Sequence, residues 1–314
     1  MKKLLPILAL AALALAGCSN DPHAPQGDAN LSKNLDADAS ALALGGSEGS
    51  PARGRAVIAN RASGTISVID AKSLTVAGTY DLPAAEGEPV PQPMYVVHVS
   101  TMNRVFVGDR ANNRVAVFDA RSFAVVGTVP AGEGVFHMWA DAQGKQLWVN
   151  NDVDKTTTVI DPRSLEVITT VPTPADLVDM GGKPHDVIVG PKGNYAYVSV
   201  LGGDGDNDYV VQFDTATFTE MARAAVGKDP QLSLARQHRG LYVPCQNSDQ
   251  IVVLDRITLA QETVIDLPGA HGAGMAPNGK FFYATNLPGG GAGGLLSVDT
   301  STNLPTGPAA DTPY

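Results

Sequence analysis

The chain has 314 residues, 44% of them hydrophobic, with 32 acidic against 22 basic side chains and a formal charge of −10. That length allows a large core. The acidic balance does not suit a nucleic-acid binder, which needs Lys and Arg on the phosphates. At the amino terminus Lys2 and Lys3 precede an apolar run from Leu4 to Ala16, and "LAGC" closes it at Cys18. A basic start, a short apolar stretch and small residues at the cut are the parts of a secretory signal. The run is too short to span a bilayer.

The end of this signal resembles the lipobox of bacterial lipoproteins. In that family the cysteine is acylated and becomes the new first residue, so residues 1–17 are the expected signal peptide and Cys18 the expected lipidation position. An ordinary cleaved signal with a chance cysteine is the plainer alternative. Ser19 stands where inner-membrane retention favours aspartate. By resemblance to enteric lipoproteins it points to the periplasmic side of the outer membrane, with the inner membrane or the cell surface as alternatives. Residues 18–52 are anchor and tether. They are dominated by Asp, Ala, Ser, Gly and Pro, without an aromatic residue, and cannot bury enough apolar area to offset their ordering. Loss of Lys2 and Lys3 with the signal takes the charge from −10 to −12. Acylation of Cys18 leaves Cys245 alone, which excludes an internal disulfide. The fold must hold by packing, and Cys245 reads as buried and inert.

The body is expected over 53–314, and one pattern organises it. "VIDAKSL", "VFDARSF", "VIDPRSL", "QFDTATF", "VLDRITL" and "SVDTSTN" place aspartates at 70, 119, 161, 214, 255 and 299, with gaps of 49, 42, 53, 41 and 44. In chain order each unit repeats the same strands. "RAVIAN", "NRVFVGD", "KQLWVNN", "NYAYVSV", "GLYVPC" and "KFFYATN" give one. "TISVID", "RVAVFD", "TTTVID", "YVVQFD", "QIVVLD" and "GLLSVD" give the next. "TVAGTYDL", "AVVGTVP", "EVITTVP" and "ETVIDL" give an outer strand, and "HDVIVGPKG" and "HGAGMAPNG" an inner one. The runs are β-branched, aromatic and bounded by turns. No long stretch has a helical period. A period in the forties with this content predicts an all-β propeller of four-stranded blades. The acid and hydroxyl in each copy then read as turn chemistry: Asp accepts from backbone N–H groups just ahead, and Ser or Thr does so locally. A catalytic carboxylate would need one special environment, not six equivalent ones.

These repeats resemble the YVTN-type β-propeller family. Its tetrapeptide is present in degraded form as "VIAN", "FVGD", "WVNN", "YVSV", "YVPC" and "YATN", and its inner turn as "GPKG", "DAQG" and "APNG", without the usual Asp before Gly. The resemblance covers residues 53–305 and implies the fold more than the function. Its relatives include surface-layer propellers, lactonase-like enzymes and the haem d1 propeller of nitrite reductases. Six repeats are visible where the family commonly has seven. The first lacks an inner strand, and the chain stops at "DTPY", where a new inner strand should begin. The expectation is a seven-bladed parent without its last blade and closing strand; a six-bladed ring with an open seam is the alternative.

On one face the turns are short and constant. On the other the connections vary: "PAAEGEPVPQP", "TPADLVDMGGK", "LGGDGDND" and "LPGGGAGG". Insertions in repeat proteins gather on the binding face, so a protein or small-molecule ligand is expected there. His185 and His271 lie eight residues before turn glycines Gly193 and Gly279, where each inner strand begins; His137 lies seven before Gly144. Met94 and, approximately, Gln231 take the same place in other blades. Imidazole with thioether would suit copper, and three imidazoles zinc; capping of the strand is the plainer alternative. His98 and His238 read as structural. Asp204, Asp206 and Asp208 alternate as in the start of many calcium loops, but Thr215 stands where an EF-hand loop would want Glu. Asn60, Asp109, Asn151 and Asn286 end equivalent strands on the variable face. A lactonase-like hydrolase would hold a metal with such residues, although capping of each turn explains them. Trp139 and Trp148 read as core. No nucleophile elbow, haem-attachment CxxCH or metalloprotease motif occurs. The leading expectation is a lipid-anchored periplasmic propeller that binds through its variable face and touches the membrane by its anchor only. A metal or redox-cofactor protein comes second and a lactonase-like hydrolase third.

Overall fold

A computed structural model describes residues 54–203, 205, 207–234, 239–286, 294–306 and 310–311. The signal, Cys18, the tether, Asp204, Asp206, His238 and most of "GGGAGG" lie outside the described residues.

The β-branched runs form strands in chain order. The first sheet is β1 (Arg55–Asn60), β2 (Thr65–Asp70) and β3 (Thr75–Asp81), three strands among the described residues. The second is β4 (Pro93–Val99), β5 (Arg104–Asp109), β6 (Arg114–Asp119) and β7 (Val125–Pro130). The third is β8 (Val135–Ala140), β9 (Leu147–Asn151), β10 (Thr156–Asp161) and β11 (Glu166–Pro172). A one-turn helix, α1 (Ala175–Asp179), precedes β12 (Lys183–Val189), β13 (Tyr195–Leu201), β14 (Asp208–Asp214) and β15 (Glu220–Val226). The fifth sheet is β16 (Ser233–Leu234), β17 (Gly240–Cys245), β18 (Gln250–Asp255) and β19 (Gln261–Asp266). The sixth is β20 (Ala270–Met275), β21 (Phe281–Asn286), β22 (Gly294–Asp299) and β23 (Leu304–Pro305), with β24 (Ala310–Asp311) also paired to β22. Apart from β24, each strand pairs within its sheet with its neighbours in sequence, the plan of a propeller blade, and the six repeat sheets make the all-β propeller predicted above.

The chain divides into two compact units. Among the described residues, unit 1 holds 54–140, 144–147 and 160–168, and unit 2 holds 141–143, 148–159 and those from 169 onward; the strands of the third sheet are divided between them. Within unit 1, Ile66 and Val68 of the first sheet pack against Val105, Val107 and Phe118 of the second. Within unit 2, Trp148 and Val159 pack with Val187, Val198 and Phe213. Central strands are therefore covered on both faces, and β6 is buried from Val115 to Phe118. This is why they read as continuous apolar runs and not as alternating ones. Outer strands are mostly exposed: β7, β11 and β19 bury one position each and β3 none.

The six aspartates close the hairpins from the third to the outer strand. Asp119 Oδ1 accepts from the N–H groups of Arg121 at 3.0 Å and Ser122 at 2.8 Å and from Ser122 Oγ at 2.9 Å. Asp70, Asp214 and Asp255 repeat the arrangement. Four residues after each aspartate the backbone turns left-handed, at Leu74, Phe123, Leu165, Phe218, Leu259 and Asn303, and in all six that residue's N–H returns to the aspartate carbonyl. Left-handed geometry costs about 1 kcal/mol in a residue with a Cβ. Phe123 and Leu259 offset it by burial, at 3% and 5% exposure. The turns also join sheets. Arg55 Nη1 donates to the Arg121 carbonyl at 3.0 Å, and Arg104 Nη1 to those of Pro162 at 2.7 Å and Arg163 at 2.9 Å. In unit 2, Tyr197 Oη donates to the Arg256 carbonyl at 2.6 Å. Asp161→Ala is expected to cost about 1 kcal/mol in chemical denaturation through lost turn hydrogen bonds, with binding by the folded protein unchanged. Normal stability with lost binding would make Asp161 a site residue.

Three inner turns place glycine at positive φ, Gly144, Gly193 and Gly279, while the turn from β4 to β5 uses Asn103. Gly193 has φ +74°, and a Cβ there would lie 2.8 Å from Gln143 Oε1; Gly144 has φ +69°, and its Cβ would overlap Thr101.

Candidate functional site

The inner strands start with a shared irregularity. Register shifts fall between Pro93 and Val96 in β4, Pro184 and Val187 in β12, and Ala270 and Ala273 in β20. Met94, His185 and His271 are each the first residue inside such a bulge, the common register expected from their spacing, and all three are buried. His137 keeps its offset. Its ring lies 3.8 Å from that of Tyr95, centroid to centroid, and its Nε2 is 2.6 Å from Tyr95 Oη. It therefore sits beside the residue after Met94.

His185 faces the segment that leads into β16. Its Nδ1 is 3.4 Å from the Pro230 carbonyl, 3.3 Å from Gln231 Nε2 and 3.8 Å from Asp229 Oδ1. The His185 carbonyl accepts from Asn150 Nδ2 at 3.0 Å, and Asn150 Oδ1 from Thr157 Oγ1 at 2.8 Å. Asp186 Oδ2 accepts the N–H of Leu232 at 2.8 Å. These contacts hold the bulge to the next repeat. Among the described residues no group of three or more His, Cys, Asp or Glu side chains is placed to hold a metal ion.

Asp208, one of the alternating aspartates, is buried inside a ring of donors. Its Oδ1 accepts from the N–H groups of Gly202 at 3.1 Å and Gly203 at 3.0 Å and from Lys228 Nζ at 2.7 Å; its Oδ2 accepts from the N–H of Asp229 at 2.8 Å. The strand-ending amides and carboxylate are used likewise. Asn60 Nδ2 donates to Thr65 Oγ1 and Ser67 Oγ across its hairpin, and Asn151 Nδ2 to Thr156 Oγ1 and Thr158 Oγ1. Asn286 Oδ1 accepts the N–H of Gly294. Asp109, fully buried, accepts from the N–H of Gln92, from Asn112 Nδ2 and from Arg114 Nε. Arg114 also grips Glu88, at 2.9 Å, and so fixes the loop between β3 and β4. The Ala85 N–H and then Arg114 hold Glu88 below the usual carboxylate range. Long variable loops are thus tied down by buried charge.

Aromatic groups gather at the start of β4 and β8. Phe136 meets Tyr95 edge-on at 5.2 Å, and the Arg110 guanidinium lies 5.6 Å from the Phe136 centroid. Tyr95 is buried, while Phe136 and His137 are half-buried. Trp139 corrects the sequence reading: Trp148 is fully buried, but Trp139 is 44% exposed. β8 ends its sheet, and strand alternation turns Trp139 away from the face that buries Met138. Sequence patterns do not single out Tyr95, Phe136 and Arg110, although "MY" at 94–95 and "FH" at 136–137 are the signal that could have found the first two. Cys245 is buried, and burial pushes its thiol up to about 12, which leaves it inert.

A profile of the family described as "Lactonase, 7-bladed beta-propeller" matches residues 46–264. No curated protein matches the chain by sequence. Among solved structures it is similar to hydrazine synthase from Kuenenia stuttgartiensis, with a TM-score of 0.53, 13% identity, and coverage of 80% of this chain and 94% of that one. It is also similar to the dihydro-haem d1 dehydrogenase NirN in complex with DHE, with a TM-score of 0.62, 10% identity, and coverage of 86% of this chain and 55% of that one. The chain thus spans about half of NirN. At these identities the likeness is one of fold.

Proposed function

The chain belongs to the seven-bladed β-propeller lactonase family, and from that premise we propose that it is a binding module: a lipid-anchored propeller outside the cytoplasm that takes a ligand on its variable-loop face. One observation carries the reading. The amides and carboxylates that a metal-dependent hydrolase would turn toward an ion are spent on loops, as at Asn60, Asp109, Asn151 and Asp208. Distinct from those is a cluster at the start of β8, where Phe136 meets the Arg110 guanidinium and the His137 ring, with Trp139 exposed farther along the same strand. Half-buried rings with a guanidinium beside them suit a planar, anionic molecule, which gains stacking area and a charge partner together. NirN, similar in fold, is seen with DHE, so iron protoporphyrin is a reasonable first probe.

Trp139 and Trp148 are the only tryptophans, and iron protoporphyrin quenches indole by energy transfer without contact, so saturable quenching reports binding to the body. Titration of the full chain with iron protoporphyrin is expected to quench saturably. Arg110→Ala should weaken binding about tenfold, the loss of one cation–π and charge contact. Linear, unsaturable quenching would reject the site. Turnover of a lactone on addition of calcium, zinc or manganese, abolished by chelation, would overturn the reading in favour of a hydrolase.

A further inference from the structure

The acidic charge of the chain is unevenly placed. The described residues of unit 1 carry nine Lys and Arg against nine Asp and Glu, whereas those of unit 2 carry eight against sixteen. Unit 1 is therefore neutral overall, and its bases are sorted to one end. Arg55, Lys72, Arg104, Arg121, Lys145 and Arg163 lie in or beside the short turns, against Asp70, Asp119, Asp161 and Glu166. Three of those four carboxylates point one oxygen into their own turns. Lys72, Arg121 and Arg163 each stand two residues after a turn aspartate, and all three are exposed.

Large aliphatic side chains are exposed just beyond each of these bases. Leu74 and Val76 follow Lys72 at 50% and 61% exposure, Val125 and Val126 follow Arg121 at 49% and 45%, and Val167 and Ile168 follow Arg163 at 40% and 44%. A base with two bare aliphatic groups in the next five residues thus occurs three times, and one of the two, Val76, Val125 or Val167, always stands four residues after the base. The contacts of Arg55 with the Arg121 carbonyl and of Arg104 with that of Arg163 bring the three turns to one end of the unit. Exposed apolar groups repeated in register mark an interaction surface. Bases interleaved with aliphatic chains suit the headgroup region of an anionic bilayer, which takes both. The chain supplies a second argument. Residue 54 enters β1 beside Asp70, since Arg55 pairs with Asp70, so the segment that carries Cys18 joins unit 1 at this same end.

We propose that the turn end of unit 1 is the surface on which the anchored body rests against anionic phospholipid headgroups. The proposal rests on the lipid anchor proposed above. It turns the opposite end of unit 1, where β4 and β8 begin with Tyr95, Phe136 and His137, away from the membrane toward its ligand.

The test uses the mature chain, residues 18–314 with Cys18→Ser, so that neither an acyl chain nor the apolar run Leu4–Ala16 contributes, and co-sedimentation with phosphatidylglycerol–phosphatidylcholine vesicles or with phosphatidylcholine alone. Binding to the anionic vesicles only, weakening with salt, is expected. The combined variant Lys72→Glu, Arg121→Glu, Arg163→Glu should lower it by about a hundredfold, from roughly a factor of five for each base removed. Val76→Ser, Val126→Ser, Ile168→Ser should also lower it while leaving the salt dependence unchanged. All six positions are exposed, and a melting curve confirms that each variant is folded. Absence of binding, equal binding to neutral vesicles, or full binding by the charge-reversed variant overturns the proposal. So does binding that emerges only when residues 19–53, with five acids and two bases, are removed, since the tether would then be the occupant of the basic end. Fractionation of cells that make the wild-type chain or Cys18→Ser reports on the anchor separately. A soluble wild type would end the anchor reading, and a membrane-bound wild type whose Cys18→Ser form ignores anionic vesicles would end this one alone.

Discussion

Asp208→Ala is expected to remove about 3 kcal/mol of stability, read as a lower midpoint in urea. The side chain is 2% exposed and its two oxygens satisfy four donors. Alanine leaves the N–H groups of Gly202, Gly203 and Asp229 without their acceptor and Lys228 without its counter-charge. Lys228 is 29% exposed and regains water, so the cost stays below that of a fully buried pair. Asp208→Asn keeps one oxygen and should lose about half as much. The effect reaches the inner strand: Asp229, positioned through its N–H by Asp208, lies 3.8 Å from His185. A loss under about 0.5 kcal/mol, the scale of an unremarkable surface change, would show that the ring of donors is not what holds these loops.

The same residue shows what a sequence conveys and what it withholds. The alternation of Asp204, Asp206 and Asp208 suggested a cation loop, and the partner that neutralises Asp208 is Lys228, twenty residues away in another connection. No local spacing announces that pair. Periodicity did announce the blades, because central strands are buried on both faces and must be apolar throughout. It failed at β15, "EMARAAV", where alanine and charged residues give little β preference; that strand exists because Asp208 to Phe213 offers it a ladder. The register of His185 and His271 was legible because it counts back from inner turns that use glycine, Gly193 and Gly279. The direction in which His185 points was not, since that depends on Pro230 and Gln231 of the next repeat. The Asp turns were legible in their hydrogen bonds but not in their left-handed fourth residue, because Leu and Phe at such a position contradict propensity and are held there by burial and by the return bond to the aspartate carbonyl. The exposure of Trp139 is not legible in the sequence, because apolar character alone does not say which face of a terminal strand is covered.

Acid should unfold the protein through those same turns. The Ser73 and Lys72 N–H groups hold Asp70 below the usual carboxylate range, the Ser122 N–H does so for Asp119, and the Thr217 and Ala216 N–H groups for Asp214. At Asp255 burial pushes the other way, and the Thr258 and Ile257 N–H groups with Arg239 override it. A carboxylate whose folded value lies below its unfolded one takes up protons more readily when unfolded. Its stabilisation is complete above the unfolded value near 4 and disappears as pH falls through the lower, folded value. Each turn is solvent-exposed or nearly so and contributes modestly, but the repeat multiplies one sign of effect. The melting temperature is therefore expected to be flat from neutral pH down to about 5 and to fall steeply below about 4. Asp176, held low by Arg223, and Glu88, held low chiefly by the Ala85 N–H, lose their stabilisation over the same window, so the turns must be separated from the ion pairs. Asp70→Asn, Asp119→Asn, Asp214→Asn does this: the amide oxygen still accepts the turn N–H groups and cannot be protonated in this range. That variant should melt lower at neutral pH, having lost charge-assisted bonds, and fall less steeply in acid, so that its curve converges on the wild type's. Parallel curves would assign acid unfolding to the ion pairs of Asp176 and Glu88 and leave the turns with a purely geometric role.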